Sequence, residues 1–354
     1  MQYTPLTVDY IGSSTFPCGL SRELATTDYI LAEDGYAVVV QALEDKEVYN
    51  QIECTDHTFR TIHKGDVFVG VLGERQALKG YSGRLPRQIA VGDTLNVLNM
   101  GGIIGMCVSD HPELGPPLRV RVLGAVVRAE DGKSPRHVCI QDFALDAVEN
   151  LDSSAPIIMV SGTSMNTGKT YACAQMVSQL THLGYRVAAA KLTGASLMRD
   201  TRAMRDNGAI AVHTFTDAGI VTSTSHNIVP AAKGIIRKLN EHKPDLIVVE
   251  LGDGFIGYYG VDDILQDKEI QKFVMTHVVA TVDLVGAWAS RLIFQDRYGQ
   301  TISIMTGPVT DNAVGKRYIQ QTLGITALNA KQDGDAIRDM LKKKVEETLR
   351  ASAK

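Results

Sequence analysis

The sequence predicts an α/β domain with a mainly parallel sheet, preceded by a mostly β domain folded as a small barrel or sandwich. Three observations lead to this prediction. Apolar runs alternate with helix-like segments after residue 155. Short β-like runs separated by turn signals fill residues 1–150. One loop between an apolar run and a helix-like segment combines glycine, lysine and threonine in the order GTSMNTGKT.

The first 150 residues contain short runs rich in β-branched residues. These runs are YAVVVQAL, DVFVGVLG, DTLNVLNM, GGIIGMCV and LRVRVLGAVV, and glycine-containing segments such as HKGD and PELGPP separate them. Short strands at this spacing are typical of a small barrel or sandwich. The stretch ENLDSSAP then has the composition of a linker. We therefore expect two domains, at residues 1–150 and 156–354.

In the second part of the chain the pattern of apolar residues is different. Its apolar runs are PIIMVSG, RVAAAKLTG, AIAVHTF, DLIVVELG, THVVATV and TISIMTG, and the periodic stretches between them include 170–183, 231–242 and 312–323. Uninterrupted apolar strands indicate a sheet that is covered on both faces, which favours parallel strands joined by helices. Ligands of such sheets bind beyond the carboxyl ends of the strands. The residues that follow each run are thus the candidates for a site.

Composition narrows the function classes. The formal net charge of −4 argues against a general nucleic-acid binder. No run of 18 apolar residues predicts a membrane span, and the N-terminus lacks the pattern of a signal peptide. The five cysteines are scattered and form no C-x-x-C pair, which fits reduced thiols in the cytoplasm. We expect a cytoplasmic homodimer that acts on a small molecule, without nucleic-acid or membrane partners.

The loop GTSMNTGKT, residues 162–170, has the pattern of a phosphate-binding P-loop. Backbone N–H groups at a helix N-terminus converge on an anion, and the helix dipole favours negative charge there. Lys169 is predicted to reach the β- and γ-phosphates, and the Thr170 hydroxyl is predicted to bind Mg²⁺. The first glycine lies six positions before the second, whereas the usual spacing is five. We expect ATP and Mg²⁺ as cofactors, with nucleotide contacts from Gly162, Thr163, Asn166, Thr167, Gly168, Lys169, Thr170, Tyr171 and Asn312.

The loop resembles that of dethiobiotin synthetase and its relatives, which also begins G-T and ends G-K-T with this spacing. The segment GYRVAAAKLTGAS is similar to the second strand of that family, and DLIVVELGDG is similar to its Walker-B-like strand. Lys191 and Glu250 are the matching positions. The resemblance covers about residues 156–330. It implies a P-loop NTPase fold and an ATP-dependent synthetase in which Lys169, Lys191 and Glu250 are catalytic.

Two features depart from that family. Ser164 stands where the family has an acidic metal ligand, and the glutamate is followed by LGDG in place of Gly-Ala-Gly-Gly. A weaker likeness runs to a bacterial family of P-loop proteins that includes D-glutamate N-acetyltransferases. It depends on the same loop, a TG after the second strand, and the glutamate-glycine end of a strand.

The physical interpretation of the strand ends leaves alternatives open. The Lys191 ammonium is placed to pair with a γ-phosphate or a substrate carboxylate, or else it extends to the surface at the end of its strand. Glu250 is placed to hold Mg²⁺, directly or through water, or else it is an ordinary acid at a strand end. Asn312 or Asp311 either contacts the nucleotide base or caps a helix. The basic segment 74–88 either reaches an anionic ligand or is a solvated loop.

Three function classes follow. The first is a Mg-ATP-dependent synthetase that phosphorylates a small carboxylate or carbamate; the second is a hydrolytic switch or metallochaperone-like GTPase; the third is an acyltransferase on the same scaffold. A switch would favour an N-K-x-D motif, which the sequence lacks. A synthetase would favour a strand-end lysine beside the loop, which Lys191 supplies. The sequence therefore favours the synthetase.

Overall fold

The computed structural model describes residues 3–128 and 135–352 and divides them into two compact units. The first unit contains the chain up to Leu145 together with Ala195–Arg199 and Phe215–Thr222. The second unit contains Asp146–Gly194, Asp200–Thr214 and the chain from Ser223 onward. Two short segments from the second half of the sequence thus belong to the first unit.

The first unit is built almost entirely of short strands. They are β1 (Tyr3–Thr7), β2 (Tyr10–Ile11), β3 (Glu23–Thr27), β4 (Ala37–Ala42), β5 (Gln51–Glu53), β6 (Phe59–Thr61), β7 (Val67–Leu72), β8 (Ser82–Arg84), β9 (Thr94–Val97), β10 (Ile103–Ser109), β11 (Arg119–Arg128) and β12 (Arg136–His137). Short 3₁₀ turns occur at Ser13–Cys18, Ile140–Phe143 and Phe215–Ala218.

A closed ring of strands forms the centre of this unit. The pairing runs β11–β4–β7–β10, and β9 pairs with both β10 and β11. Buried side chains, among them Phe68, Ile104 and Val120, fill the interior. Closure removes the free edges that an open sheet would expose. The prediction of a mostly β first part is confirmed, and its form is a barrel.

The second unit contains a seven-stranded parallel sheet. Its strands are β13 (Ile157–Gly162), β14 (Val187–Thr193), β15 (Ala211–Thr214), β16 (Leu246–Leu251), β17 (Val274–Ala280), β18 (Ile304–Thr306) and β19 (Thr326–Ala327), in the spatial order β15-β14-β16-β13-β17-β18-β19. Every residue of β13, β14 and β16 is buried. Side chains on both faces of these strands therefore pack against other elements, as a parallel sheet requires. The predicted α/β fold class is confirmed.

Helices connect the strands. They are α1 (Lys169–His182), α2 (Arg199–Asp206), α3 (Ile228–Asn240), α4 (Val261–Gln266), α5 (Lys268–Gln271), α6 (Leu284–Asp296), α7 (Ala313–Tyr318) and α8 (Gly334–Ser352). A 3₁₀ turn at Pro308–Thr310 precedes α7, and a π-helical turn at Ile319–Leu323 follows it. The periodic stretches 170–183, 231–242 and 312–323 fall on α1, α3 and the α7 region. In the described part of the chain, no helix is both long and apolar enough to span a bilayer.

Candidate functional site

The site begins where β13 leaves the sheet. Its last residue is Gly162, and a Cβ there would lie 2.7 Å from the Thr167 hydroxyl oxygen and 2.8 Å from the Ala280 carbonyl oxygen. Real side chains do not fit at such distances, so a larger residue would have to displace the loop or the neighbouring strand. The early glycine of the loop therefore lies at the point where the backbone passes close to β17.

The loop then turns tightly into α1. Asn166 has a φ of 59°, a left-handed conformation that asparagine tolerates better than most residues. Gly168 has a φ of 91° and stands at the N-cap of α1, where no side chain caps the helix. The first N–H groups of a helix have no partner inside it, so this end of α1 is suited to bind an anion.

Lys169 lies inside the loop. Its side chain is nearly buried, and its ammonium donates a 2.7 Å hydrogen bond to the Ser164 carbonyl. Burial lowers the pKa of this lysine, although the negative charges of Glu250 and Asp253 act in the opposite direction. A lysine held over the loop in this way is placed to neutralise phosphate oxygens.

Glu250 lies on β16, beside the first turn of α1. Its Oε1 accepts a 2.9 Å hydrogen bond from the Thr170 hydroxyl, while its Oε2 is buried and finds no hydrogen-bond partner among the described residues. Burial, and next the charge of Asp200, raise the pKa of this carboxyl to about 7, while Lys191 and Lys169 lower it. A buried acceptor without a partner is costly, so Glu250 Oε2 is suited to a ligand from outside the chain.

Mg²⁺ fits this pair of residues. It prefers oxygen ligands, and proteins commonly hold it by one or two side chains together with substrate phosphates and water. The unpartnered oxygen of Glu250 and the adjacent Thr170 hydroxyl supply two such oxygens. Among the described residues, no group of three or more histidine, cysteine, aspartate or glutamate side chains could hold a metal by itself. Phosphate oxygens would therefore have to complete the coordination.

Lys191 is the neighbour of Glu250 across the sheet, because the two residues are paired in the register of β14 and β16. Its ammonium forms a buried ion pair with Asp200 on α2. Burial alone would lower the pKa of Lys191, but the charges of Asp200 and Glu250 raise it. The alternative of a lysine that extends to the surface is wrong. Its charge is already balanced by a carboxylate of the same unit.

A cavity adjoins the loop on the side of β18. Its lining residues are Asn166, Thr167, Gly168, Tyr171, Thr306, Gly307, Pro308, Asp311, Asn329, Ala330 and Lys331. Asn312 does not line it: its Oδ1 caps α7 by accepting from the N–H groups of Val314 and Gly315. The structure therefore favours the helix cap for Asn312 and leaves Asp311 at the cavity.

No protein-family model matches the chain, and no curated protein matches it significantly. Cell division protein FtsY of Thermotoga maritima is 16% identical, with a TM-score of 0.38, over 57% of this chain and 73% of that protein. The signal recognition particle 54 kDa protein of Aeropyrum pernix, in complex with GDP, is 14% identical, with a TM-score of 0.36, over 57% and 48%. Hydrogenase maturation factor HypB of Archaeoglobus fulgidus is 13% identical, with a TM-score of 0.35, over 54% and 90%.

These likenesses are distant, and the chain spans only about half of the signal recognition particle protein. The P-loop class follows from the chain itself, through the parallel sheet and the loop between β13 and α1. The closer resemblance to dethiobiotin synthetase finds no support beyond that class.

The structure brings together Lys169, Thr170, Lys191 and Glu250, as the sequence predicts; the roles assigned to them stay predictions. The sequence analysis missed Asp200, which shares in the charge balance of the site, and the pair formed by Asn329 and Lys331. An acidic residue in the first turn of a helix is usually explained by the helix dipole, so nothing in the sequence distinguished Asp200.

The basic segment 74–88 of the first unit contains buried side chains. Tyr81 is fully buried, and its hydroxyl donates to the Leu114 carbonyl at 3.3 Å. Arg75 is also nearly buried and donates to the Leu98 carbonyl. Arg84 and Arg87 are exposed. Part of this segment is thus structural in its own unit.

Proposed function

We propose that this chain is a Mg²⁺-dependent nucleoside triphosphatase whose loop Gly162–Thr170 binds the triphosphate. The observation that carries the proposal is the contact between Thr170 and Glu250, with the second carboxylate oxygen unpartnered, directly beside a phosphate loop. The loop, the magnesium ligands and a charged lysine are then three parts of one phosphoryl-transfer site.

Each group has a definite task in this proposal. The N–H groups at the start of α1 hold the phosphates, and Lys169 moves from the Ser164 carbonyl to the β- and γ-oxygens. Thr170 and Glu250 would hold Mg²⁺, which neutralises charge that develops on the transferred phosphoryl group. Glu250 must be ionised for this purpose, and a cation bound beside it would favour the ionised form.

We further propose that hydrolysis operates a conformational switch. The Lys191–Asp200 ion pair joins β14 to the first turn of α2. A change in the charge around Glu250 alters the environment of this ion pair, because the charge of Glu250 acts on Lys191. A nucleotide-dependent change at the site would thereby reach α2.

A synthetase is the second candidate, and Lys191 is the observation that favours it. The lysine lies beside Glu250 in the register of the sheet, where a substrate carboxylate would meet it. Its ion pair with Asp200 counts against this role, since the ammonium would have to exchange one carboxylate for another. Phosphate release that depends on an added small carboxylate or amine would favour the synthetase; release without any such addition favours the switch.

The test of the main proposal is phosphate release from ATP and from GTP by the full chain in Mg²⁺. Glu250→Gln should lower turnover by about a hundredfold or more, the size typical of a lost preorganised electrostatic group. Glu241→Gln changes an exposed glutamate paired with Lys238 and is the matched control. Turnover that is equal in the wild type and in Glu250→Gln, or absent with both nucleotides and every tested small molecule, would contradict the proposal.

A further inference from the structure

A cleft of the first unit lies where β12 pairs with β11. Its volume is about 230 Å³, and it is lined by Arg128, Arg136, His137, Val138, Asp142 and Phe143, all of which belong to this unit. Two guanidinium groups and one carboxylate line the cleft, so its charge is positive whatever the protonation state of the histidine. A concave surface of positive charge attracts anions.

The two arginines are direct neighbours across the pair of strands. Arg128 lies opposite Arg136 in the antiparallel register of β11 and β12, so both side chains project from the same face. Like charges placed directly opposite each other destabilise a sheet. Within residues 3–128 and 135–352, no carboxylate lies close enough to either arginine to form an ion pair. An anion bound between the two guanidinium groups would offset their repulsion.

Arg128 is already held in one orientation. Its Nη2 donates to the Cys18 carbonyl at 2.6 Å, and its guanidinium carbon lies 5.1 Å from the centre of the Phe143 ring, a cation–π distance. A guanidinium has five N–H donors, so the bond to Cys18 leaves donors for a ligand. Because the side chain is ordered in advance, an anion that binds it pays little of the usual cost of immobilising an arginine.

Asp142 restricts the kind of anion that fits the cleft. A carboxylate only accepts hydrogen bonds, so it repels an anion that carries no proton and accepts from one that does. Phosphate retains a proton near neutral pH, whereas sulfate and acetate do not. Arginine also matches phosphate geometrically, through two parallel N–H···O bonds. The charges of the cleft therefore suit a phosphate group that accepts from the arginines and donates to the aspartate.

We propose that this cleft binds a phosphate group, which Arg128 and Arg136 hold and which Asp142 distinguishes from sulfate. The phosphate is either the free ion or part of a small ester. The site uses residues of the first unit alone, so it does not depend on nucleotide binding at Gly162–Thr170.

Calorimetric titration of the full chain with inorganic phosphate, glycerol 3-phosphate, sulfate and acetate tests the proposal. The titrations are made at about pH 6, near the second pKa of a phosphate ester, so that both phosphates are partly protonated. At least one of the two phosphates should bind about tenfold or more tightly than sulfate or acetate, and the tighter of them identifies the free ion or the ester as the ligand.

Three variants assign the binding to the cleft. Arg136→Gln should weaken phosphate binding about tenfold or more, because it removes charge-assisted hydrogen bonds. Asp142→Asn supplies a donor in place of an acceptor, so it should abolish the preference for phosphate over sulfate. Arg121→Gln changes an exposed arginine earlier in β11 and is the matched control, which should leave both affinities unchanged.

Arg136→Glu separates lost binding from lost folding. It places opposite charges in register on β11 and β12, so its melting temperature without anions should equal or exceed that of the wild type, while phosphate binding is lost. Equal phosphate affinity in the wild type and Arg136→Glu, equal affinity of the wild type for phosphate and sulfate, or no binding of either phosphate would overturn the proposal. Phosphate binding that survives Arg136→Glu and disappears in Lys169→Ala would place the anion in the loop Gly162–Thr170 and overturn it as well.

Discussion

Several ionisable side chains of the second unit are buried, and the charged groups around each one determine its charge. Glu250 is surrounded by Lys169, Lys191 and Asp200, and its raised pKa follows from burial and from the like charge of Asp200. The sequence indicated that Glu250 ends an apolar strand. It did not indicate that Thr170 would donate to one oxygen and leave the other without a partner, because that depends on the approach of α1 to β16.

His277 on β17 is a buried group of another kind. Its ring packs edge to face against Phe294 with centroids 5.5 Å apart, and neither ring nitrogen has a hydrogen-bond partner in residues 3–128 and 135–352. Burial lowers the pKa of His277 to about 4 from its ordinary 6.5. The histidine is therefore neutral in the folded protein and binds a proton more readily in the unfolded chain.

This shift predicts a pH-dependent stability. Between pH 6.5 and 4 the unfolded chain binds a proton that the folded chain does not. The free energy of unfolding therefore decreases as the pH falls from 6.5 toward 4. The change amounts to about 3 kcal/mol. His277→Phe should remove that part of the decline in denaturant unfolding measured from pH 7 to pH 4, while the exposed control His242→Phe should not. An unchanged slope in His277→Phe would show that the pKa of His277 is the same in the folded and the unfolded chain.

At the scale of elements, the Lys191–Asp200 ion pair joins the end of β14 to the first turn of α2. Removal of one member of a buried pair leaves the other charge without compensation, and this typically costs about 3–5 kcal/mol. Loss of both members costs less than the sum of the two single losses. The strength of this link is measurable as a coupling energy.

We predict a coupling energy of about 1–3 kcal/mol for Lys191→Met and Asp200→Asn in a double-mutant cycle of denaturant unfolding. The control cycle uses the exposed pair formed by Lys238, on α3, and Glu241, just after α3. The coupling energy of this pair should not exceed about 0.5 kcal/mol. If the effects of Lys191→Met and Asp200→Asn were simply additive, the two elements would not be joined by this pair. The link to a switch would then lose its structural basis.

Short elements were the hardest to predict. The strand β19 has only two residues, Thr326–Ala327, and so carries no apolar run. It nevertheless carries the chain to Asn329 and Lys331 at the cavity. The closure of the barrel by β9 was equally hard to predict, because the sequence of one strand does not show that it pairs with two neighbours. Long strands with helices between them were predictable, since their apolar periodicity extends over many residues.

At the scale of the whole molecule, the fold class and the phosphate loop followed from sequence pattern, and the division of the chain followed only in outline. Ala195–Arg199 and Phe215–Thr222 come after β14 and β15 but belong to the first unit. A change of composition near residue 150 marks a single boundary. It cannot reveal that later segments of the chain belong to the first unit. The expected homodimer and cytoplasmic location stay predictions, and light scattering of the purified chain checks the first of them.

The most direct test of the whole account is calorimetric titration of the full chain with GTP and with ATP, with and without Mg²⁺. At least one nucleotide should bind, more tightly with Mg²⁺ than without it. Lys169→Ala should weaken binding at least about tenfold, because a charge-assisted hydrogen bond contributes about 1.5–3 kcal/mol. Lys342→Ala, which changes an exposed lysine of α8, should leave the affinity unchanged. No heat of binding for either nucleotide, or equal affinity in Lys169→Ala and the wild type, would contradict a nucleotide site at Gly162–Thr170.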